Sequence, residues 1–324
     1  MSSLGAESPF QINFPTKLEL TREDYVDVQT QLRTIDLKPL IDELYEEYKS
    51  QGDVTYQDFF YRCTKGLRQT LIKPEQGHLP TTDLIKIGRG GGRCVVCCIS
   101  YDSNYYNLVT SLAKALEKTG FNGYFYFRAG GFPNPTGQEI QYAGVPYCFK
   151  IFTMLEAYQL GFSSVLWIDS TMLPLRNPDL LFQIIESHGA FLFEEDISQN
   201  NRYILPFTRK VLQEQTGVDV FHTTYVRTLV FGLKMDTELA QRLIRSYYEL
   251  VSMGTPFLSC FPEEFVLTAI IGQDPFKGWK GHVHHNKIIK KHKRKQKRHD
   301  YVLTFEPPNG VQQPIHFFYY RGHT

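Results

Sequence analysis

Asp169 closes an apolar run, SSVLWI (163–168), and is followed at once by Ser170 and Thr171. A carboxylate at the exit of a buried strand can reach a cation that bridges two phosphates, or accept a hydrogen bond from a ribose or other sugar hydroxyl. It can equally cap the next turn through its side chain. On these residues alone both readings stand. A second chemical feature is the run from Lys287 to Arg298, with eight Lys or Arg in twelve positions. Such a block can neutralise the phosphates of a nucleic acid, an acidic glycan or a bound diphosphate, or it can be a solvated loop. It contains no aromatic residue, so base stacking on single strands is not supported. His282, His284 and His285 precede it in a polar stretch with no nearby acid to complete a metal set.

Several enzyme classes are excluded. GFSSV (161–165) lacks the closing glycine of a nucleophile elbow, and neither a Walker lysine nor an HExxH zinc motif occurs. Gly88, Gly90, Gly91 and Gly92 precede a strand, whereas phosphate-cradling loops follow one, so this cluster reads as a linker. Cys94, Cys97 and Cys98 lie inside an apolar run and read as small strand residues rather than a redox or zinc pair. Lys plus Arg (35) balances Asp plus Glu (34), so only local charge clusters inform about partners. The start of the chain has no basic segment followed by an apolar one, and no stretch is apolar enough to span a bilayer. The expectation is a soluble, cytoplasmic protein.

The elements that must position these groups follow from periodicity. Leu37, Leu40, Ile41, Leu44, Tyr45 and Tyr48 share one helical face, and a second helix is expected over 54–72, so residues 1–92 read as a mostly helical region. From Cys94 the pattern changes. CVVCCIS, GYFYFRA and SSVLWID are continuous apolar strands separated by helical stretches that end at Gly120 and Gly161. GAFLFEE and TTYVRTLVFGLKM read as further strands, and TELAQRLIRSYYELVSMG and EEFVLTAIIG as helices. Residues 93–324 are therefore expected to form an α/β domain with a mostly parallel sheet flanked by helices, carrying a basic loop at 282–299.

The stretch 145–194 resembles the centre of nucleotide-sugar-dependent glycosyltransferases of the GT-A fold. The matching residues are Lys150 on a helix, Gly161, Asp169 at the strand exit, and Asn177-Pro178 before a short helix. The resemblance covers 94–272 and, loosely, the C-terminal tail. It implies a GT-A-like (Rossmann-like) fold and a donor site that takes in Ser100, Tyr101, Asp102, Lys150, Asp169, Ser170 and Thr171. Arg128, near the end of the second strand, stands at the same ligand edge. The family motif carries two acids two positions apart, and here Thr171 stands at the second. The implied divalent cation, Mn²⁺ or Mg²⁺, would rest on Asp169, with His316 as a late ligand and Arg321 serving the same diphosphate charge. An inverting transferase needs a general base. Glu263 and Glu264 match the acidic pair that this fold places toward the acceptor, although the helix dipole alone favours acids there. Glu194, Glu195 and Asp196 are the competing acids.

The expected activity is transfer of a sugar from a UDP- or GDP-linked donor to a glycan or other hydroxyl acceptor, with an inverting course ahead of a retaining one. The competing expectation is a polyanion-binding protein that uses 287–298 on a transferase-like scaffold.

Overall fold

The computed structural model describes residues 81–99, 103–129, 147–195, 204–259, 261–276, 279, 284–289, 301–305 and 315–319, together with scattered positions between 42 and 59. The strands are β1 (Thr81–Ile87), β2 (Arg93–Ile99), β3 (Gly123–Ala129), β4 (Ser164–Ile168), β5 (Met172–Pro174), β6 (Ala190–Glu195), β7 (Tyr225–Lys234), β8 (His284–Ile289), β9 (Tyr301–Phe305) and β10 (Ile315–Tyr319). The helices are α1 (Ser103–Lys118), α2 (Phe149–Gln159), α3 (Asp179–His188), α4 (Pro206–Thr216), α5 (Glu238–Met253) and α6 (Pro262–Ile271). Strand order is β1-β3-β2-β4-β7-β6, continued by β8-β9-β10-β5.

β2, β3 and β4 run parallel, as their unbroken apolar sequences require of strands covered on both faces. One core lies on the side of α2, α5 and α6, and includes Ile151, Leu155, Tyr247, Phe265 and Trp167. The other lies against α1 and α3, and includes Leu112, Leu116, Phe182, Ile185 and Leu166. This is an α/β sheet flanked by helices, as expected.

Two details differ from expectation. The sheet is mixed rather than mostly parallel, because β1 pairs antiparallel with β3, and β7 lies antiparallel between β4 and β6. Long apolar strands such as β7 carry the same residue types whichever way they run, so direction is not encoded in their composition. The sheet also begins earlier, since β1 falls within the segment read as helical and linker. It pairs with β3 along its whole length, from Thr81↔Ala129 to Ile87↔Gly123. The glycines after it are the β1–β2 turn, with Gly88 and Gly90 at φ 56° and 75°. Likewise, the segment read as a basic loop opens as strand β8, which pairs parallel with β6 and antiparallel with β9. In the N-terminal region, Asp42, Tyr45, Glu46, Lys49, Tyr56, Gln57 and Phe59 are helical as expected, and Tyr45 meets Tyr56 and Phe59 ring to ring. Among the described residues no helix is long and apolar enough to cross a membrane.

β7 is approached through a turn at Val220–His222 that is pinned from two sides. Asp219 accepts a hydrogen bond from the Phe221 backbone N–H (3.0 Å) and an ion pair from Arg209 on α4, whose guanidinium lies 3.9 Å from the centre of the Phe221 ring. The Arg209 hydrogen bond is the main reason the Asp219 carboxyl is lowered from 3.8 to about 2. A depressed acid stabilises the fold above its unfolded pKa and loses that contribution as pH falls through the folded one. Asp219→Asn should therefore flatten the fall of stability between pH 4 and 2 relative to wild type, measured by urea unfolding across that range.

Candidate functional site

The exit of β4 is the C-terminal edge of the parallel strands, where open α/β sheets place ligands. The Asp169 backbone N–H donates to Leu229 O on β7 (2.9 Å), and Met172 N–H returns to Asp169 O (2.8 Å), closing a tight turn. Oδ1 of Asp169 accepts from the Trp167 indole N–H at 2.6 Å and sits 3.2 Å from Lys150 Nζ. Oδ2 has no hydrogen bond among the described residues, and the side chain keeps 21% of its surface exposed. The carboxylate is thus held by one oxygen and offers the other.

Lys150 reaches this point from the first turn of α2. The residue just before the helix cap, Tyr147, takes a left-handed backbone (φ 59°), a conformation that costs a non-glycine residue about 1–3 kcal/mol and that clusters at functional sites. The ammonium is buried and lies 2.9 Å from Glu263 Oε1, 3.1 Å from Thr228 Oγ1 and 3.2 Å from Thr228 O. It also stands 5.6 and 5.7 Å from the ring centres of Trp167 and Tyr147. Burial opposes its charge, but Asp169 and then Glu263 outweigh that and hold its pKa above the ordinary lysine value. Burial raises Asp169, against Lys150 and the indole N–H. It also raises Glu263, against Lys150, with the Glu264 charge adding to the rise.

The acidic pair opens α6, where the dipole favours it. Its two members are held differently. Both oxygens of Glu264 are engaged: Oε2 accepts from Tyr225 Oη at 2.5 Å, and Oε1 accepts from Thr228 N–H at 3.1 Å and lies 3.4 Å from Arg227. Glu263 uses Oε1 for Lys150 and for the Thr228 hydroxyl, which donates at 2.9 Å, while its buried Oε2 has no partner among the described residues. Thr228, fully buried in β7, joins Lys150, Glu263 and Glu264 through its hydroxyl and both backbone groups.

Lys150, Asp169, Glu263 and Glu264, far apart in sequence, are therefore one cluster. Ser170 is buried and Thr171 half-buried in the adjoining turn. Arg128 lies elsewhere. It is fully buried, paired with Glu156 of α2 (Nη2 to Oε1 2.5 Å), and Tyr126 donates to the same carboxylate (2.8 Å). Burial works against its charge, and Glu156 more than compensates. It presents no surface to solvent. Ser100, Tyr101, Asp102 and Arg321 fall outside the described residues, as do the side chains of Glu194, Glu195 and His316 and all of Asp196. The backbone of His316 pairs with Thr304 on β9. β6 and β4 point the same way, and β8 pairs beside the end of β6 (Phe193↔His284, Glu194↔His285), so the basic run opens at the edge that carries Asp169.

Trp167, Tyr225 and Thr228 were not singled out from the sequence. In strands they read as β-formers, and only the arrival of a charge from another element gives them a polar role.

No protein-family model matches the sequence, and no curated protein matches it. Solved structures that resemble it loosely include the following three. One is the galactosyltransferase LgtC in complex with donor and acceptor sugar analogues (14% identity, 59% of this chain and 72% of that one, TM-score 0.35). Another is mouse xyloside xylosyltransferase 1 in its apo form (14%, 53% and 59%, TM-score 0.30). The third is the mannosyltransferase Ktr4p from S. cerevisiae (10%, 82% and 84%, TM-score 0.36). All three are glycosyltransferases. At overlaps this loose, what the chain does has to come from its own side chains.

Those side chains fit a divalent cation poorly. Among the described residues no three His, Cys, Asp or Glu converge to hold one. The position that could bridge Asp169 and Glu263 is filled by Lys150 Nζ. A dication on the remaining Asp169 oxygen, ~5 Å from that ammonium, would meet a pairwise repulsion of about 7 kcal/mol at an effective dielectric of ~20.

A buried ion cluster depends on every member. Lys150→Met leaves Asp169 and Glu263 facing each other uncompensated and should cost about 3–5 kcal/mol in chemical unfolding. Adding Glu263→Gln to that variant should restore part of the loss, because one of the stranded charges is then gone.

Proposed function

We propose that the chain is a glycosyltransferase that moves a sugar from a nucleoside diphosphate donor, UDP- or GDP-linked, to a hydroxyl of a glycan or other acceptor. The observation that carries this reading is the half-held carboxylate of Asp169, presented at the sheet's ligand edge beside a buried, lysine-bound acid pair. Oδ2 of Asp169 accepts a hydrogen bond from a donor hydroxyl, and Trp167 and Lys150 fix its direction. Such fixed orientation is what positioning contributes to a displacement.

Of the two acids at the start of α6, Glu263 is the better candidate base. Glu264 spends both oxygens on Tyr225, Thr228 and Arg227, whereas Oε2 of Glu263 has no partner among the described residues; that oxygen is buried, so an acceptor hydroxyl reaches it only when the groups covering it move aside. Its raised pKa strengthens it as a proton acceptor. In an inverting displacement the acceptor O–H proton passes to Glu263 as the acceptor oxygen bonds the anomeric carbon. The bond from that carbon to the diphosphate breaks, and the diphosphate leaves with the electron pair. Glu264 positions Thr228, and through it the lysine.

A panel of nucleotide sugars, screened by thermal shift and then by transfer, tests the reading. Asp169→Ala should abolish transfer with the fold retained, and Glu263→Gln should lower kcat by roughly 10²–10⁴-fold, the usual contribution of a general base. Wild-type turnover in Asp169→Ala would remove the assignment. The rival polyanion reading predicts instead a steeply salt-dependent binding of nucleic acid that disappears when 287–298 is deleted.

A further inference from the structure

We infer that this site handles its donor without a divalent cation, with Lys150 as the resident positive charge between Asp169 and Glu263. The inference rests on the glycosyltransferase reading and concerns how that same site meets its substrate. Three observations carry it. The residue two positions beyond Asp169 is Thr171, so the turn supplies one carboxylate and not a pair. The oxygen of Asp169 that faces inward is already shared by the Trp167 N–H (2.6 Å) and Lys150 (3.2 Å), and Glu263 Oε1 lies 2.9 Å from the same ammonium. Finally, the three N–H bonds of Lys150 face four acceptors: one oxygen each from Asp169 and Glu263, and two from Thr228. For an ion to take this place, the lysine would have to give up all four contacts.

The chemical consequence is a different kind of donor contact. A bridging metal would grip the diphosphate. An Asp169 neutralised on one oxygen by an ammonium instead meets its ligand through the other oxygen, as a hydrogen-bond acceptor for a ribose or sugar hydroxyl. The charge at this point is covalently part of the chain, so a chelator cannot remove it.

The test uses the full chain with UDP, GDP, ADP, CDP and dTDP, and with the sugar-linked forms of each, in EDTA and again in MnCl₂. Binding is followed by titration calorimetry and thermal shift. The expected result is a nucleotide whose Kd and stabilisation are unchanged between the two conditions, and no Mn²⁺ bound to the free protein by electron paramagnetic resonance. Binding that appears only with Mn²⁺, and that is lost in Asp169→Asn, would overturn the inference while leaving the transferase reading standing. If no ligand in the panel binds under either condition, the transferase reading itself fails and the inference goes with it.

Discussion

One ammonium organises this molecule's ligand edge. Lys150 is buried, and an isolated buried lysine would shed its proton, because the cost of desolvating the charge exceeds what a low-dielectric interior returns. It remains charged because carboxylates come to it from two directions, Asp169 at the end of β4 and Glu263 at the start of α6, with Thr228 of β7 filling the rest of its coordination. Three elements that lie apart in the sequence are thereby required to converge at this one point. Moving any of them by an ångström would strand a charge.

The convergence follows from sheet geometry. β4 and β7 are antiparallel neighbours, and the register Ile168↔Val230 leaves the first half of β7 running past the end of β4. Thr228 and Tyr225 lie in that overhang, where one of β7's flanks is free of β4. Here the backbone of Thr228 turns its N–H to Glu264 and its carbonyl to Lys150 instead of to a strand partner. The antiparallel strand therefore supplies backbone polar groups at the place where the parallel strands stop, and the ion cluster uses them.

This explains how much was legible beforehand. β2, β3 and β4, the helices between them, the carboxylate at position 169 and the acids at 263 and 264 could be read from apolar runs, glycine stops and residue type, since each is a local property. β1 escaped because TTDLIKI is an edge strand with polar residues among its apolar ones, beside residues that also suit a turn. The partnership of Lys150 with Glu263, and the mediation of Thr228, were not legible. They depend on the direction of β7, and a strand's composition does not state its direction. Arg128 was read as a ligand-edge residue for the sound reason that it ends a parallel strand, but Glu156 had already claimed it.

Arg128 and Lys150 are better understood together. The stretch from Lys150 to Ala157 of α2 is buried at every position, and it contains both Lys150 and Glu156. A helix closed in on all sides can carry charges only where each finds a partner on a neighbouring element. Lys150 finds carboxylates beside β4 and β7. Glu156, most of two turns further on, finds the guanidinium of Arg128 and the hydroxyl of Tyr126 on β3. The two pairings act on α2 as separate pins, one near its first turn and one near its last, over strands that lie on opposite sides of β2. Apolar packing alone would tolerate a slide of the helix along the sheet, because one aliphatic contact can replace another. Two buried charges cannot trade partners, since a slide would leave both unpaired. The pin at Arg128 thus has a consequence at a distance. By fixing where α2 lies, it fixes where the ammonium at the helix start must stand, and with it the direction in which Asp169 offers its free oxygen.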